Sequence, residues 1–229
     1  MKNVLITGAN RGLGFEIARQ ISASGYHVFL SGRSQSDLDN ALSKLEGNLS
    51  IEPLVMDVSS DESVREASLM LLDRRIRLDV IINNAGILIK EDDSLLNDPS
   101  HTLIKTINTN SYGPLRVVKE FVYNMNKPGR IINISSGGGS MSDPVEGWSP
   151  AYCTSKTLLN AITRHLAYEL REVGISVNAV CPGWLQTDMG GKAAPRTVEK
   201  GAQTPVWLAT EAPQELTGKI FRDKREIPW

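Results

Sequence analysis

Tyr152 and Lys156 stand four residues apart. On a helix that spacing puts both side chains on one face, one turn apart. An ammonium beside a phenol favours the phenolate, so Lys156 is expected to pull the Tyr152 hydroxyl below its ordinary value of about 10. A phenol tuned in this way can give a proton to a carbonyl oxygen while a hydride reaches the carbonyl carbon. The reaction also needs a group that holds the oxygen. Ser135 and Ser136 follow a short β-rich run, 130–134, and either hydroxyl could serve. Alternation sends the two to opposite faces, so periodicity alone does not choose between them. Tyr-x-x-x-Lys occurs a second time, as Tyr123 and Lys127. That copy ends a helix that feeds the next strand, so it belongs at the opposite edge of a sheet and reads as structural.

A hydride donor needs its own site. The first β-rich run, 4–6, leads into Thr7-Gly8-Ala9-Asn10-Arg11-Gly12-Leu13-Gly14 and then a helix. A strand, a glycine turn and a helix N-terminus present free backbone N–H groups and a positive dipole end to a pyrophosphate. The spacing is G-x-x-x-G-x-G, not the commoner G-x-G-x-x-G. Sites for NAD usually place an acid about 20 residues on, at the end of the second strand. Here that strand ends at Arg33, with no acid beside it. A guanidinium at this place pairs with a ribose 2′-phosphate, and Arg11 reaches the same group. NADPH is therefore expected, with NADH disfavoured.

These residues have to be positioned by a scaffold. β-rich runs at 4–6, 26–30, 51–56, 79–82, 130–134, 176–180 and 220–221 alternate with helical patterns. The helices are expected at 12–24, 36–45, 61–74, 99–124, 150–173 and 198–209, the last interrupted by Pro205. Such alternation predicts βαβ units, a parallel sheet and an α/β fold. Ser149-Pro150 reads as the cap and first turn of the helix that carries Tyr152. Loops at 87–98, 137–149 and 184–196 all follow strands, at the edge where open α/β sheets bind ligands. Trp148, Trp184 and Met189 lie in these loops, where they either border a substrate pocket or pack a core or interface. Asn110 precedes Pro114 by four residues, so its carbonyl loses a helical partner. Either the helix kinks there and the carbonyl holds a water near Lys156, or two shorter helices break at Gly113-Pro114.

Composition narrows the function classes. The 229 residues carry a net charge of −1, which lacks the footprint of a nucleic-acid binder. No apolar run approaches the length needed to span a bilayer. The two cysteines, Cys153 and Cys181, fit a reducing compartment, and the three histidines have no metal-ligand spacing. The expectations are a cytoplasmic protein, no metal, and a small buried thiol at Cys153. One domain is expected over 1–229, with cofactor binding mainly in 1–90 and catalysis and substrate binding mainly in 91–229.

The ordered set of motifs resembles the short-chain dehydrogenase/reductase family along nearly the whole chain. The carriers are 7–14, Asp57-Val58, Asn83-Asn84-Ala85-Gly86, Asn110, Ile134-Ser135-Ser136, 152–156 and 182–187. The phrases 182–189 and 217–229 are similar to the carbonyl reductase and C-factor, or sniffer-like, branch. The resemblance implies a Rossmann fold with a seven-stranded parallel sheet. It implies Tyr152 as general acid, Lys156 acidifying it and binding the nicotinamide ribose, Ser136 holding the substrate oxygen, and Asn110 positioning a relay water. It also implies a cofactor site made of Gly8, Asn10, Arg11, Gly12, Leu13, Gly14, Arg33, Asp57, Val58, Asn84, Ala85, Gly86, Tyr152, Lys156, Pro182, Gly183, Leu185 and Thr187. Asp57 would meet the adenine and Thr187 the carboxamide. The 16-residue step from Ser136 to Tyr152 is longer than in many members, and the segment after Met189 is short, which suggests an open site. Relatives associate through the helices of Asn110 and Tyr152 or stay monomeric, so homodimer, homotetramer and monomer all remain open.

Three functions compete. The first is an NADPH-dependent reductase of a small aldehyde, ketone or quinone. The second is an NADP(H)-binding regulatory protein of C-factor type with little turnover. The third, a methyltransferase sharing the glycine turn, has no use for Tyr152 with Lys156.

Overall fold

The computed structural model describes residues 1–98 and 101–229. Strands β1 (Asn3–Ile6), β2 (His27–Gly32), β3 (Ile51–Val55), β4 (Leu78–Asn83), β5 (Met125–Ile134), β6 (Ile175–Val180), β7 (Ile220–Arg222) and β8 (Arg225–Ile227) form one sheet in the order 3-2-1-4-5-6-7-8. All neighbours are parallel except β7 and β8. The expected seven parallel strands are present, and the eighth, antiparallel strand is a correction. It closes a hairpin through Asp223 and Lys224, which both adopt the left-handed conformation that a tight two-residue turn demands.

Helices α1 (Gly12–Ala23), α2 (Gln35–Leu42), α3 (Asp61–Asp73), α4 (Thr102–Ile107), α5 (Gly113–Phe121), α6 (Pro150–Glu169) and α7 (Val198–Thr210) cover both faces. The central strands are apolar on both sides, as a sheet covered on both faces requires. Val4, Ile6, Val28 and Leu30 pack with Ile17, Ile21 and Val206 on one face. Leu5, Phe29 and Ile81 pack with Val64, Leu71 and Val117 on the other. α7 runs unbroken through buried Pro205. Burial of Val206, Leu208 and Ala209 offsets the roughly 3 kcal/mol that an interior proline costs.

The stretch expected to be helical over 99–124 starts at Pro99, which lies outside the described residues. From Thr102 it winds on as α4, a wide π turn (Asn108–Tyr112) and α5. The helix therefore does not break at Gly113-Pro114 into separate pieces, and the irregularity falls in the turn that holds Asn110. The wide turn absorbs the hydrogen bond that Pro114 cannot make. β5 begins at Met125, five residues earlier than the sequence suggests, and runs through Lys127, Pro128 and Gly129. Chain order reverses between β1 and β4, so a crevice opens at their carboxyl ends.

Candidate active site

The crevice is a cleft of about 1570 Å³ floored by the glycine turn and walled by the segments after β2, β4, β5 and β6. Gly8 and Gly12 adopt positive φ, +60° and +57°, which turns the chain sharply into α1. A Cβ on Gly8 would lie 2.7 Å from the Ala85 Cα, so these two backbones touch. Asn84 ties the same segments together: its Nδ2 donates to the Thr7 and Gly8 carbonyls, 2.9 Å each. The Thr7 hydroxyl accepts from the Asn84 and Ala85 N–H groups at 3.0 Å. Arg11 caps α1 with no side-chain hydrogen bond, and the first turn holds no acid. The N–H groups at this helix end are thus left to a ligand, and the donor set suits a pyrophosphate.

The remaining cofactor candidates surround that floor. Asn10 packs 3.6 Å from the point a Gly32 side chain would occupy, and Arg33 is exposed at the rim. Arg11 is less free than its place in the turn suggests, because it pairs with Asp188 at 2.5 Å across the cleft mouth. Both partners are about three-quarters exposed, and such pairs contribute at most about 1 kcal/mol, so a phosphate can displace the carboxylate. The Asp57 carboxylate accepts from the Ser59 N–H and hydroxyl. Val58, Leu13, Gly86, Pro182, Gly183 and Leu185 also line the cleft, whereas Gly14 is buried against Asn84, Gly8 and Ala9 and does not line it. Thr187 sits over Gly12, its methyl 3.5 Å from where a side chain there would begin.

Four reactive candidates converge at one end. The Ser135 hydroxyl is buried and donates to Asn160 Oδ1 at 2.6 Å, while Ser136 lies beside the Tyr152 phenol. Lys156 is buried and donates to the Ile134 carbonyl at 2.8 Å, with its Nζ 5.5 Å from the centre of the Tyr152 ring. Asn110 is fully buried, and its amide is held by the Ile87 backbone N–H (2.8 Å) and carbonyl (2.9 Å). Gly86 fits between Asn110 and Lys156, since a Cβ there would be 3.3 Å from Oδ1 and 3.8 Å from Nζ. Tyr123 is exposed just ahead of β5, at the edge away from the cleft as its place in the chain implies, and Lys127 lies in β5.

The electrostatics differ from expectation. Burial pushes the Tyr152 phenol up to about 12, against a smaller pull downward from the Ser136 hydroxyl. Burial also brings Lys156 down to about 8. The expected acidification by Lys156 is not among the influences on Tyr152: both groups have left water, and desolvation penalises each charged form. For Lys156 the folded value lies below the unfolded one, so the charged folded state is penalised at neutral pH. The penalty, worth about 3 kcal/mol, is complete below pH 8 and fades as pH rises towards 10.5. Lys156→Met should therefore stabilise the dinucleotide-free protein at pH 6.5, and that gain should shrink by about 2 kcal/mol at pH 9.5. Urea unfolding at both values measures this, and an unchanged difference would contradict it.

Sequence reasoning missed Asp92. Its carboxylate, 6% exposed, accepts from the Ala151 N–H (2.9 Å) and the Tyr152 N–H (2.8 Å). It therefore caps α6 from 58 residues upstream of Pro150, in place of Ser149, which makes no capping bond and adopts φ +40°. Only the acidic run Glu91-Asp92-Asp93 after the Asn83–Gly86 segment hinted at it. Asp92→Ala should lower stability by about 1–2 kcal/mol. It should also reduce turnover more than it weakens dinucleotide binding, because the cap fixes the Tyr152 backbone. Thermal melts and fluorescence titration with NADPH separate these effects.

Of the two readings the sequence left open for Trp148, Trp184 and Met189, the structure has all three bordering the cleft. Trp148 stacks 5.8 Å from the Tyr152 ring, and Trp184 and Met189 are half-exposed on the cleft wall. Cys153 is half-buried and lines the cleft, less hidden than expected, and burial pushes its thiol up, away from thiolate chemistry. No helix among the described residues is long and apolar enough to cross a membrane.

Fold, glycine floor and the Ser136–Tyr152–Lys156 cluster define a Rossmann-like α/β protein with a cleft at the carboxyl edge of its sheet. The chain belongs to the short chain dehydrogenase family, whose model matches residues 2–197. It is 34% identical over 245 residues to the short-chain dehydrogenase anuI of Penicillium roqueforti, covering 98% of this chain and 95% of that one. It is 33% identical over 273 residues to the NADPH carbonyl reductase 1 of Mus musculus, covering 98% and 97%. Among solved structures it resembles the NADPH-bound carbonyl reductase from chicken fatty liver, with TM-score 0.89 and 25% identity over 100% and 99% of the two chains. The carbonyl reductase Sniffer of D. melanogaster is similar, with TM-score 0.87 and 27% identity over the full length of both.

Proposed function

We propose that this chain is an NADPH-dependent reductase of small aldehydes, ketones or quinones. The observation that carries the reading is the convergence of Ser136, Tyr152 and Lys156 at one end of a glycine-floored cleft. The similarity to NADPH carbonyl reductases supports it. Residues 1–90 supply most of the dinucleotide floor, and 91–229 most of the catalytic and substrate wall. Arg33, joined by Arg11 once freed from Asp188, selects the 2′-phosphate.

NADPH supplies a hydride for the carbonyl carbon. Ser136 donates a hydrogen bond to the carbonyl oxygen and holds it against Tyr152. The Tyr152 hydroxyl, held protonated by burial, gives its proton to that oxygen as negative charge gathers there. Lys156, when charged, steadies the phenolate left behind and orients the nicotinamide ribose. Asn110, clamped to Ile87, fixes the π turn beside Lys156 and positions a water that returns the proton from solvent. Trp148 and Trp184 shield the reacting end. The product is an alcohol that has gained one hydride and one proton.

The test is a steady-state screen of aldehydes, ketones and quinones with NADPH and with NADH. Turnover with NADPH preferred is the expected result. Tight NADPH binding with no turnover of any carbonyl would favour the regulatory alternative.

A further inference from the structure

Behind Ser136 the cleft opens into a side cavity of about 160 Å³, bordered by Gly137, Ser140, Asp143 and Arg222. Arg222, the last residue of β7, borders both the cavity and the cleft. Its Nη2 lies 3.0 Å from the point where a Gly137 side chain would begin, so the guanidinium sits against the residue that follows Ser136. Among the described residues Arg222 forms no ion pair. Among the described residues its one side-chain hydrogen bond goes from Nη2 to the Cys181 sulfur, 3.0 Å away, a weak acceptor, and its buried Nε has no partner. The neighbouring acid is already committed: Asp223 takes Arg196 in two bonds of 2.6 and 3.1 Å. Asp143 borders the same cavity without pairing with Arg222.

A half-buried guanidinium with spare donors, aimed beside the residue that holds the carbonyl oxygen, is built for a planar anion. The geometry points to Arg222 as an anion-binding residue of the substrate site, so that the preferred substrates are oxo acids bearing a carboxylate a few bonds from the carbonyl. This rests on the reductase reading above and adds a substrate class to it. Arg222 binds the carboxylate, Ser136 and Tyr152 take the carbonyl oxygen, and the chain between them lies across Gly137. Arg222 is a specificity residue and takes no part in proton or hydride transfer.

The test compares 4-oxopentanoate and 4-formylbenzoate with their methyl esters, in the intact chain with NADPH. The acids should be favoured by about 10- to 100-fold in kcat/KM, mostly through KM, as a charge-assisted pair implies. Arg222→Met should erase that preference by lowering kcat/KM for the acids to the level of their esters, and a thermal melt reports that the variant is folded. Arg222→Lys should retain part of it. Equal use of acid and ester by the parent chain, or an acid preference that survives Arg222→Met, overturns the proposal while the reductase reading stands. Pentanoate, which has no reducible carbonyl, supplies a second readout by calorimetry. It should bind the parent at least about 10-fold more tightly than Arg222→Met. If no carbonyl turns over, the reductase reading fails and the pentanoate result alone decides on Arg222.

Discussion

Tyr152→Phe lowers kcat for carbonyl reduction by about 10²- to 10⁴-fold, in the range of lost general acid catalysis, and leaves NADPH affinity within about twofold. The phenol is a buried proton donor beside Ser136 and Lys156, and burial keeps it protonated through the neutral range. Phenylalanine keeps the ring stacked on Trp148 and removes only the hydroxyl. The deficit should therefore appear in kcat and kcat/KM together, the pattern of an interaction made in the transition state. Steady-state NADPH oxidation and fluorescence titration measure the two quantities. A variant that kept the parent rate would remove Tyr152 from the mechanism. A parent chain as slow as the variant would favour a regulatory role.

Gly14→Ala is the second large effect. The new methyl would fall 2.4 Å from Asn84 Nδ2, 2.7 Å from the Gly8 carbonyl oxygen and 2.9 Å from the Ala9 Cα. Two of those atoms are backbone and cannot swing aside. The third belongs to the amide that ties the glycine turn to the segment after β4. Relief of the clash must move α1 from the turn or break both Asn84 bonds, at about 1–3 kcal/mol, the usual range for overpacking. Because the helix end that faces the pyrophosphate moves with it, NADPH affinity should fall on the order of 100-fold. Urea unfolding and NADPH titration read the two losses. Unaltered affinity would mean that the glycine turn is not the pyrophosphate floor.

The central architecture was legible because apolar runs alternate regularly with helical periodicity, and a parallel sheet buries its strands on both faces. The glycine turn, the Ser135-Ser136 pair, Tyr152 and Lys156 were legible for a related reason: each comes after a strand, so topology brings them to one edge, while the choice of Ser136 over Ser135 came from the family resemblance. What stayed hidden depended on contacts between distant residues. β8 has three residues, and its turn uses Asp223-Lys224 in place of the Asn-Gly that usually marks such hairpins. The early start of β5 was masked by Pro128 and Gly129, both poor strand signals. Asp92 as the cap of α6 could not be read from local sequence, where Ser149 is the natural candidate. The direction of the Tyr152 shift was misread because spacing reveals a neighbouring charge and does not reveal how far both groups are withdrawn from water.

A crystal structure of the chain with NADP⁺ and an unreactive carbonyl analogue bears most directly on the proposed chemistry. The account predicts the analogue's oxygen within about 2.6–3.2 Å of both the Tyr152 hydroxyl and the Ser136 hydroxyl. It also predicts Lys156 turned to the nicotinamide ribose. Tyr152 and Lys156 facing away from an occupied dinucleotide cleft would contradict it.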